Sequence, residues 1–456
     1  MSPRRIDICT GPGVNPPEVA RIWGVDISHF YFNSLQASRG REVLHSIRLV
    51  RSSVRSFMSS SEADIASLID QLIADFPPKT TEPVKFLGEQ FDRGLAWIHF
   101  PKDNGGRGLS PADQLFGLRR LSKLGAPSAI GRNVIGYGMV APTIVAHGTP
   151  EQQQRFLRPL FTGEEIWCQL FSEPGAGSDV ATLATRAERD GDEWVVTGQK
   201  VWTTLAHEAA YGLLIARTNP DVPKHKGITA FLVDMHAPGV EVLPLYQATG
   251  EAEFNECFFS ETRIPDSLRL GGVGEGWGVS ITTLMNERVS IGGTVSPRGS
   301  GLIGEAVKIW QKKWASRSDA YANAVRSDLM RAWVRNEVGR LTNWRANDLR
   351  SAGTPGPEGS VAKLAFAEEN QRTSELCVNL LGSEGMLYGS NYPQVRPTES
   401  AMTGGDMRKA FIRMRANSIE GGTSEVMRNI IGERVLGLPG EPRNDKDVAW
   451  KDVPRS

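Results

Sequence analysis

The feature that most constrains this chain is a stretch of thirteen residues, 167–179, in which an apolar segment of strand length runs directly into a turn. The turn contains a proline and the glycines Gly175 and Gly177, and it carries the hydroxyl groups of Ser172 and Ser178. Backbone without Cβ atoms can bend sharply and present its N–H groups, together with these hydroxyls, to a planar polar ring or a phosphate. The same composition is typical of a polar surface turn, so the stretch alone leaves both interpretations open.

The sequence before this stretch has a helical pattern. Apolar residues between 65 and 76 recur at the spacing of one helix face. Ser110, which is followed by a proline, predicts the N-cap of a second helix. Thr149 and Gln152 have the spacing of a capping box, with a proline at the first helical position between them. A helical domain is therefore expected up to about residue 163.

The pattern changes to short strands after residue 163. Asp190-Gly191 predicts a hairpin turn between two strand-like segments. Further β-rich runs follow at 211–216, 228–233, 240–243 and 257–259. Beyond 276 the pattern is helical again, with a long amphipathic segment at 329–349 and a proline-containing interruption at 353–359.

The expected fold class is α+β. The expected organisation is an N-terminal extension over 1–50, an α-helical domain over 51–163, a β-barrel or β-sandwich domain over 164–275, a helical bundle over 276–440 and a C-terminal tail over 441–456. The extension has no assigned role.

Charge and composition exclude several classes of protein. Lys plus Arg and Asp plus Glu both number 52, so the net charge of zero argues against an electrostatic nucleic-acid or membrane binder. The four cysteines show no CxxC spacing, which fits a reducing compartment, and the seven histidines show no metal-ligand spacing. No apolar run is long enough to span a bilayer, and the first residues lack the apolar core of a secretory signal. We expect a cytoplasmic protein without a metal.

Five motifs, in order, resemble those of the acyl-CoA dehydrogenase family over roughly residues 85 to 440. They are 170–181, Gly-Gln-Lys-Val-Trp-Thr-Thr at 198–204, Gly-Ile-Thr-Ala-Phe-Leu-Val-Asp at 227–234, Leu-Gly-Ser-Glu-Gly at 381–385 and Gly-Gly-Thr-Ser-Glu at 421–425. The resemblance implies an α–β–α layout that ends in a four-helix bundle. It also implies FAD, held across the β domain, the bundle and a neighbouring subunit. The chain has no GxGxxG after a strand, no Walker loop and no GxSxG elbow, so no Rossmann unit would hold that cofactor.

The resemblance assigns flavin contacts to residues in or directly beside four of these motifs. Those expected from the β domain are Gln169, Leu170, Ser172, Gly177, Ser178, Trp202 and Thr204, and those expected from the helical region are Asn379, Gly382, Ser383, Thr423 and Glu425. An indole supplies a flat wall and a hydroxyl can hydrogen-bond a ring nitrogen. Without the motif match, Trp202 would be read as an ordinary core residue of a half-buried strand; its spacing to Thr204 and the match around it favour the flavin contact instead. Residues 379–383 also fit an ordinary helix-ending turn.

The sequence departs from the family at three of these places. The family usually carries glutamine and glycine where this chain has Asn379 and Ser383. Many relatives also carry glutamine where this chain has Glu425. No residue in 308–326 convincingly matches the arginine that grips the flavin.

The catalytic base is expected on a helix that follows the β domain. Many family members place a glutamate directly before Gly-Thr, but that position is Gly421 here, and Glu420 lies one residue early. In a second branch of the family, the catalytic carboxylate lies on the helix after the β domain, immediately before an arginine. This chain has Glu287 and Arg288 at that place. Glu287 is therefore expected to be the base, although such a pair is more often a solvated face of a helix. Substrate contacts are expected from Ser178, Arg288 and the backbone N–H of Gly421.

The activity implied is FAD-dependent α,β-dehydrogenation of an acyl-CoA, with electrons passed to an electron-transferring flavoprotein. Glycine in place of glutamate at Gly421 leaves space that suits a branched, bulky or long acyl group. A homodimer or homotetramer is expected. Two alternatives remain open: a non-catalytic subunit of a heteromeric acyl-CoA dehydrogenase complex, and a flavin oxidase or another acyl-CoA redox enzyme of the same fold.

Overall fold

The computed structural model describes residues 59–131, 133–292, 295–351, 358–387, 395–397, 406–442 and 445–453. The N-terminal extension lies outside the described residues. Helices come first in the described chain. They are α1 (Ser60–Asp75), α2 (Pro83–Asp92), α3 (Pro111–Lys123), α4 (Ala141–His147), which continues a π-helical turn over Gly136–Val140, and α5 (Pro150–Thr162).

Local sequence signals place these helices as predicted. The Ser110 side chain accepts from the N–H of Asp113, whose carboxylate accepts in return from Ser110. Thr149 and Gln152 make the same reciprocal pair at the start of α5. Both capping signals are therefore confirmed. They could be predicted because a cap depends only on residues within one turn of the helix.

Eight strands follow. They are β1 (Trp167–Leu170), β2 (Arg186–Asp190), β3 (Glu193–Thr204), β4 (Tyr211–Arg217), β5 (Ile228–Asp234), β6 (Val240–Leu245), β7 (Phe254–Pro265) and β8 (Arg269–Leu270). The ladder order is β6-β7-β3-β2-β4-β5-β8, with β1 pairing β4 in parallel. One residue pair, Arg186 with Arg217, joins β2 to β4, so the set divides into two four-stranded halves. The predicted hairpin at Asp190-Gly191 is confirmed between β2 and β3.

The two faces of β4 and β5 alternate between two cores. Leu214 and Phe231 belong to a cluster inside the β domain, together with Phe259 of β7. Leu213 and Leu232 point to the opposite side, where they join a cluster shared with the helices before β1. Every second residue faces each way along a strand, so one strand serves both cores.

A second set of helices completes the fold. They are α6 (Gly276–Gly292), α7 (Leu302–Lys313), α8 (Ala320–Ser351), α9 (Glu358–Leu381), α10 (Met407–Arg413) and α11 (Ser424–Arg434). Helix α9 packs against all five others, and α6 also packs against α4 and β5. The α+β class with helical, β and helical parts is confirmed. Most of the expected interruption at 353–359 lies outside the described residues.

One side chain ties the first helices to the β domain. Asn133 donates to the carbonyls of Leu160 (2.8 Å) and Glu165 (3.1 Å) and accepts from the N–H of Trp167 (3.0 Å). Because it is 1 % exposed and bonds three backbone groups, it fixes where β1 begins. None of the helices in the described ranges has the length and apolarity needed to cross a membrane.

Candidate active site

A buried ion pair anchors the turn after β1 to strand β3. The Lys200 ammonium, on β3, lies 2.8 Å from Glu173 Oε1 and 3.1 Å from the Phe171 carbonyl oxygen. The same carboxylate accepts backbone N–H groups from Ala184 (2.6 Å) and Thr185 (3.0 Å). The exposed fractions of the Lys200 and Glu173 side chains are 0 % and 8 %. The first two motifs therefore form one rigid unit.

The electrostatics of this pair favour its charged form at Glu173. Burial alone would raise the pKa of the Glu173 carboxyl, but the Lys200 charge and the N–H donors hold that pKa below its usual value. Burial lowers the pKa of the Lys200 ammonium, against the attraction of Glu173. The three donors that contact the Glu173 carboxylate therefore favour its ionised form.

The turn above this pair presents its predicted binding residues to solvent. Gly177 and Ser178 are exposed, and Ser172 and Gln169 are half-buried. Leu170 is 0 % exposed and belongs to the core inside the β domain. A ligand on this loop can therefore meet Leu170 only through backbone.

Trp202 is not a core residue. A register shift between Lys200 and Thr203 interrupts the pairing of β3 with β7, and Trp202 has a φ of 60°. A residue with a side chain pays strain there, and such strain collects at functional sites. The indole is 57 % exposed and meets the Phe254 ring edge-on, with centroids 5.8 Å apart. Thr204, two residues on, is half-buried.

A chain of contacts leads from Trp202 to the last motif. The guanidinium of Arg413, at the end of α10, lies 5.6 Å from the Phe254 ring centroid. Arg413 also forms a two-pronged ion pair with Glu420, at 3.0 and 3.1 Å. Asn417 donates to Glu420 as well, at 2.6 Å. Burial alone would lower the pKa of Arg413, but Glu420 raises it above its usual value. Through these contacts Glu420 stabilises the loop that contains Gly421.

A buried lysine supports the backbone of that loop from below. Gly421 and Gly422 both have positive φ, at 65° and 94°, which favours glycine. The Lys363 ammonium, on α9 and 2 % exposed, donates to the carbonyls of Asn417 (2.9 Å) and Gly422. Lys363 was not among the predicted site residues, since no local motif marks it.

The two other residues predicted from this motif begin helix α11. Thr423 is its N-cap, and its hydroxyl oxygen accepts the N–H of Val426 at 3.1 Å. The Thr423 hydroxyl proton is left to donate elsewhere, because a hydroxyl can donate and accept at once. Glu425 lies in the first turn and is exposed.

Glu287 lies on a helix face that is buried at its start. Ser280 and Thr283 are 0 % exposed, and Glu287 follows them at helical spacing on the same side of α6. Thr283 bonds Thr143 of α4, with 3.0 Å between the hydroxyl oxygens. Glu287 itself is half-buried. The side chain of Arg288 lies outside the described part of the chain.

The remaining predicted residues lie elsewhere. Asn379, Gly382 and Ser383 are exposed at the far end of α9. Sixteen residues separate Asn379 from Lys363 (379 − 363), which is about 24 Å along a helix. The end of α9 that carries these three residues is therefore remote from the lysine that supports the Gly421–Gly422 loop.

The residues around Trp202 fit a flavin. They combine the exposed indole with Ser172, whose carbonyl accepts the N–H of Val201 at 2.9 Å. The loop that carries Ser172 is held by a buried pair and also presents the Ser178 hydroxyl. A planar ring with polar edges needs such a wall and such donors.

Comparisons with known proteins give the same family at three levels. Three family models match in order: acyl-CoA dehydrogenase N-terminal domain at 45–164, middle domain at 168–262 and C-terminal domain at 274–436. The chain is 37 % identical over 355 residues to the acyl-CoA dehydrogenase IpdE1 of Mycobacterium tuberculosis, covering 77 % of this chain and 86 % of that protein.

Solved structures of the same fold include a complex of two differently named proteins. The ChsE4-ChsE5 complex from Mycobacterium tuberculosis matches with a TM-score of 0.63 and 28 % identity, over 85 % of this chain and 100 % of that one. The Tcur3481-Tcur3483 steroid ACAD matches with a TM-score of 0.63 and 26 % identity, over 84 % of this chain and 98 % of that one.

Proposed function

The chain belongs to the acyl-CoA dehydrogenase family of FAD-dependent oxidoreductases, and on that premise we propose that it oxidises an acyl-CoA thioester to the 2-enoyl-CoA. The α-hydrogen leaves as a proton, and FAD, when bound, would supply the acceptor for the β-hydrogen, which leaves as a hydride. The protein must supply a base for that proton and donors for the thioester oxygen.

Glu287 is the base in this proposal. The competing carboxylate, Glu420, is engaged by Arg413 at 3.0 Å and by Asn417 at 2.6 Å. Freeing Glu420 would break a charged pair whose arginine is only 6 % exposed, and breaking such a pair is costly. Glu287 is half-buried and continues the face of α6 on which Ser280 and Thr283 are buried, and an acyl group that covered its carboxylate would make it a stronger base.

Gly421 serves the reaction through its backbone. The family position of the glutamate carries no side chain here, and the backbone of 417–422 is held by Lys363 and by the Glu420 pair. A fixed N–H at Gly421 can point at the thioester oxygen as negative charge develops there. The hydroxyl of Ser178 and the guanidinium of Arg288 are proposed to bind the rest of the substrate.

The missing side chain at Gly421 also favours a bulky acyl group. A glycine leaves room where a glutamate would otherwise stand, and acyl specificity depends on a few such positions. The solved Tcur3481-Tcur3483 protein is named a steroid ACAD. We therefore propose a branched or polycyclic acyl-CoA as the substrate class.

The Trp202–Phe254–Arg413–Glu420 contact chain carries this proposal. The test is an anaerobic titration of the purified yellow protein with CoA esters of straight-chain, branched and polycyclic acids. The flavin absorbance should bleach, most readily with a bulky ester, and the product should have lost two hydrogens. Full flavin occupancy with no bleaching by any ester would reject the proposal.

The exposed residues at the end of α9 support a proposal about the oligomeric state. Asn379, Gly382 and Ser383 are exposed, which suits contact with a cofactor held by a second subunit. We propose a homodimer or homotetramer that passes electrons to an electron-transferring flavoprotein.

A non-catalytic subunit of a heteromer is the competing function. The ChsE4-ChsE5 match is a complex of two differently named proteins, and this chain lacks a convincing match for the flavin-gripping arginine. A colourless preparation that gains flavin and activity only with a homologous partner would favour it.

A further inference from the structure

Residues 445–453, the last that the structure describes, pack onto the β domain. Residues 445–453 follow the part of the chain that matches the C-terminal family model, 274–436. Their backbone runs beside the loop between β4 and β5, where the N–H of Trp450 donates to Val222 (2.9 Å) and that of Lys451 to Pro220 (3.1 Å). We call residues 445–453 the strap.

Trp450 anchors the strap. It is 9 % exposed, and its Nε1–H donates to the Thr182 carbonyl at 3.2 Å. The guanidinium of Arg217 lies 4.7 Å from the centroid of its ring. A tryptophan buries more area than any other side chain and offers the best face to a cation. These contacts of Trp450 therefore hold the strap to the segment that follows Ser178.

Arg217 grips that segment from below. It is 3 % exposed and donates to the carbonyls of Ala181 (2.6 Å) and Lys224 (2.6 Å). Trp450 covers the guanidinium and so keeps it from water. Hydrogen bonds from a charged group gain strength when water is excluded.

A second contact reaches the motif loop through Lys224. Its ammonium lies 2.5 Å from Asp179 Oδ2 and 2.5 Å from Asp445 Oδ2, and its side chain is 9 % exposed. Asp179 directly follows Gly177 and Ser178. The strap thus supplies one of two carboxylates that fix Lys224, and Lys224 holds the residue next to Ser178.

We propose that the strap is a positioning element for the site: Trp450 and Asp445 hold the Gly177–Ser178 loop in its binding conformation, with Arg217 and Lys224 as the residues that transmit the contact. Its effect on acyl-CoA binding rests on the proposed function, but its effect on the loop does not. The loop is then ordered by residues about 270 positions away in the chain.

The test uses the full chain and three variants. Trp450→Ala removes the anchor, Asp445→Asn removes one carboxylate from Lys224, and Asp447→Asn is the control. Asp447 lies on the exposed side of the same segment, so its substitution removes the same charge from a neighbouring site. Deuterium exchange is followed in peptides that cover residues 172–183.

Exchange in these peptides should rise on the order of tenfold in Trp450→Ala, several-fold in Asp445→Asn and not at all in Asp447→Asn. With an accepted CoA ester, KM should rise on the order of tenfold in Trp450→Ala while kcat changes much less, since the loop binds and Glu287 reacts. Unchanged exchange in both Trp450→Ala and Asp445→Asn would overturn the proposal.

The two proposals fail separately. If exchange rises as expected but the parent protein oxidises no CoA ester, the strap is upheld and the proposed function falls. If Trp450→Ala does not fold, Asp445→Asn decides alone, because it changes one partly exposed group.

Discussion

The Lys200–Glu173 pair gives the sharpest stability prediction. Glu173→Gln keeps the shape of the side chain but removes its charge, and so leaves the ammonium of Lys200 buried beside one neutral oxygen and the Phe171 carbonyl. The exposed fractions of the two side chains are 0 % and 8 %, so water cannot replace the lost charge.

The expected cost follows from this geometry. Removing one member of a buried pair costs about 3–5 kcal/mol, most of it from the charge left behind. The new amide N–H₂ must also face the donors of Ala184 or Thr185, which lie at 2.6 and 3.0 Å. We expect the free energy of unfolding to fall by about 3 kcal/mol or more.

The assay is denaturant unfolding of the variant and of a matched control. Glu188→Gln is the control, because Glu188 pairs with Arg186 at 3.6 Å on the surface, with side chains 71 % and 58 % exposed. It should change stability by less than about 1 kcal/mol. The double variant Glu173→Leu with Lys200→Met should recover stability relative to Glu173→Gln, because it buries no unpaired charge.

The pH dependence has a definite sign. The pKa of the Glu173 carboxyl is held below its usual value of 4.5 in the folded protein, so this group stabilises the fold above that pH. The contribution is lost as pH falls below 4.5 through the lower folded pKa. Glu173→Gln should therefore flatten the acid limb of the stability curve. A loss below about 1 kcal/mol, equal to the control, would refute the reasoning.

Two further predictions concern the loop at Gly421 and the indole at Trp202. Lys363→Met should lower stability by about 2 kcal/mol, since one buried and one partly buried carbonyl lose a charged donor. The exposed Lys308→Met is the control for denaturant unfolding, and equal midpoints for the two variants would contradict this. Trp202→Ala should weaken FAD binding by about tenfold through the lost ring contact without lowering stability, because the indole is 57 % exposed; fluorescence titration of apoprotein measures the affinity, and an unchanged affinity would argue against a flavin wall at Trp202.

The sequence correctly predicts the structural features that depend on a few adjacent residues. The caps at Ser110 and Thr149 and the turn at Asp190-Gly191 each depend on a few adjacent residues, and the structure has all three. Strand β7 was predicted only over 257–259, yet it spans Phe254–Pro265. The rest of the strand contains exposed charged residues such as Arg263. A prediction based on runs of apolar residues therefore missed it.

The contacts between residues far apart in the chain could not be predicted from the sequence. A lysine is usually a surface residue, and no residue near Lys200 in the sequence indicates that its partner is Glu173, 27 residues earlier. Trp202 interrupts the alternation of its strand because of the register shift at 200–203, so its exposure could not be predicted. Trp450 lies in a polar tail, and its partner Thr182 is 268 residues away; an isolated tryptophan there was the one available signal.

The identity of the base is the central claim, and one comparison tests it most directly. Glu287→Gln and Glu420→Gln are each purified with FAD and mixed anaerobically with an accepted CoA ester, and the rate of flavin bleaching is recorded. The account predicts that Glu287→Gln stays yellow and bleaches at least about 100-fold more slowly than the parent protein, while Glu420→Gln with bound flavin still bleaches. Normal bleaching by Glu287→Gln, or its selective loss in flavin-loaded Glu420→Gln, would contradict the account.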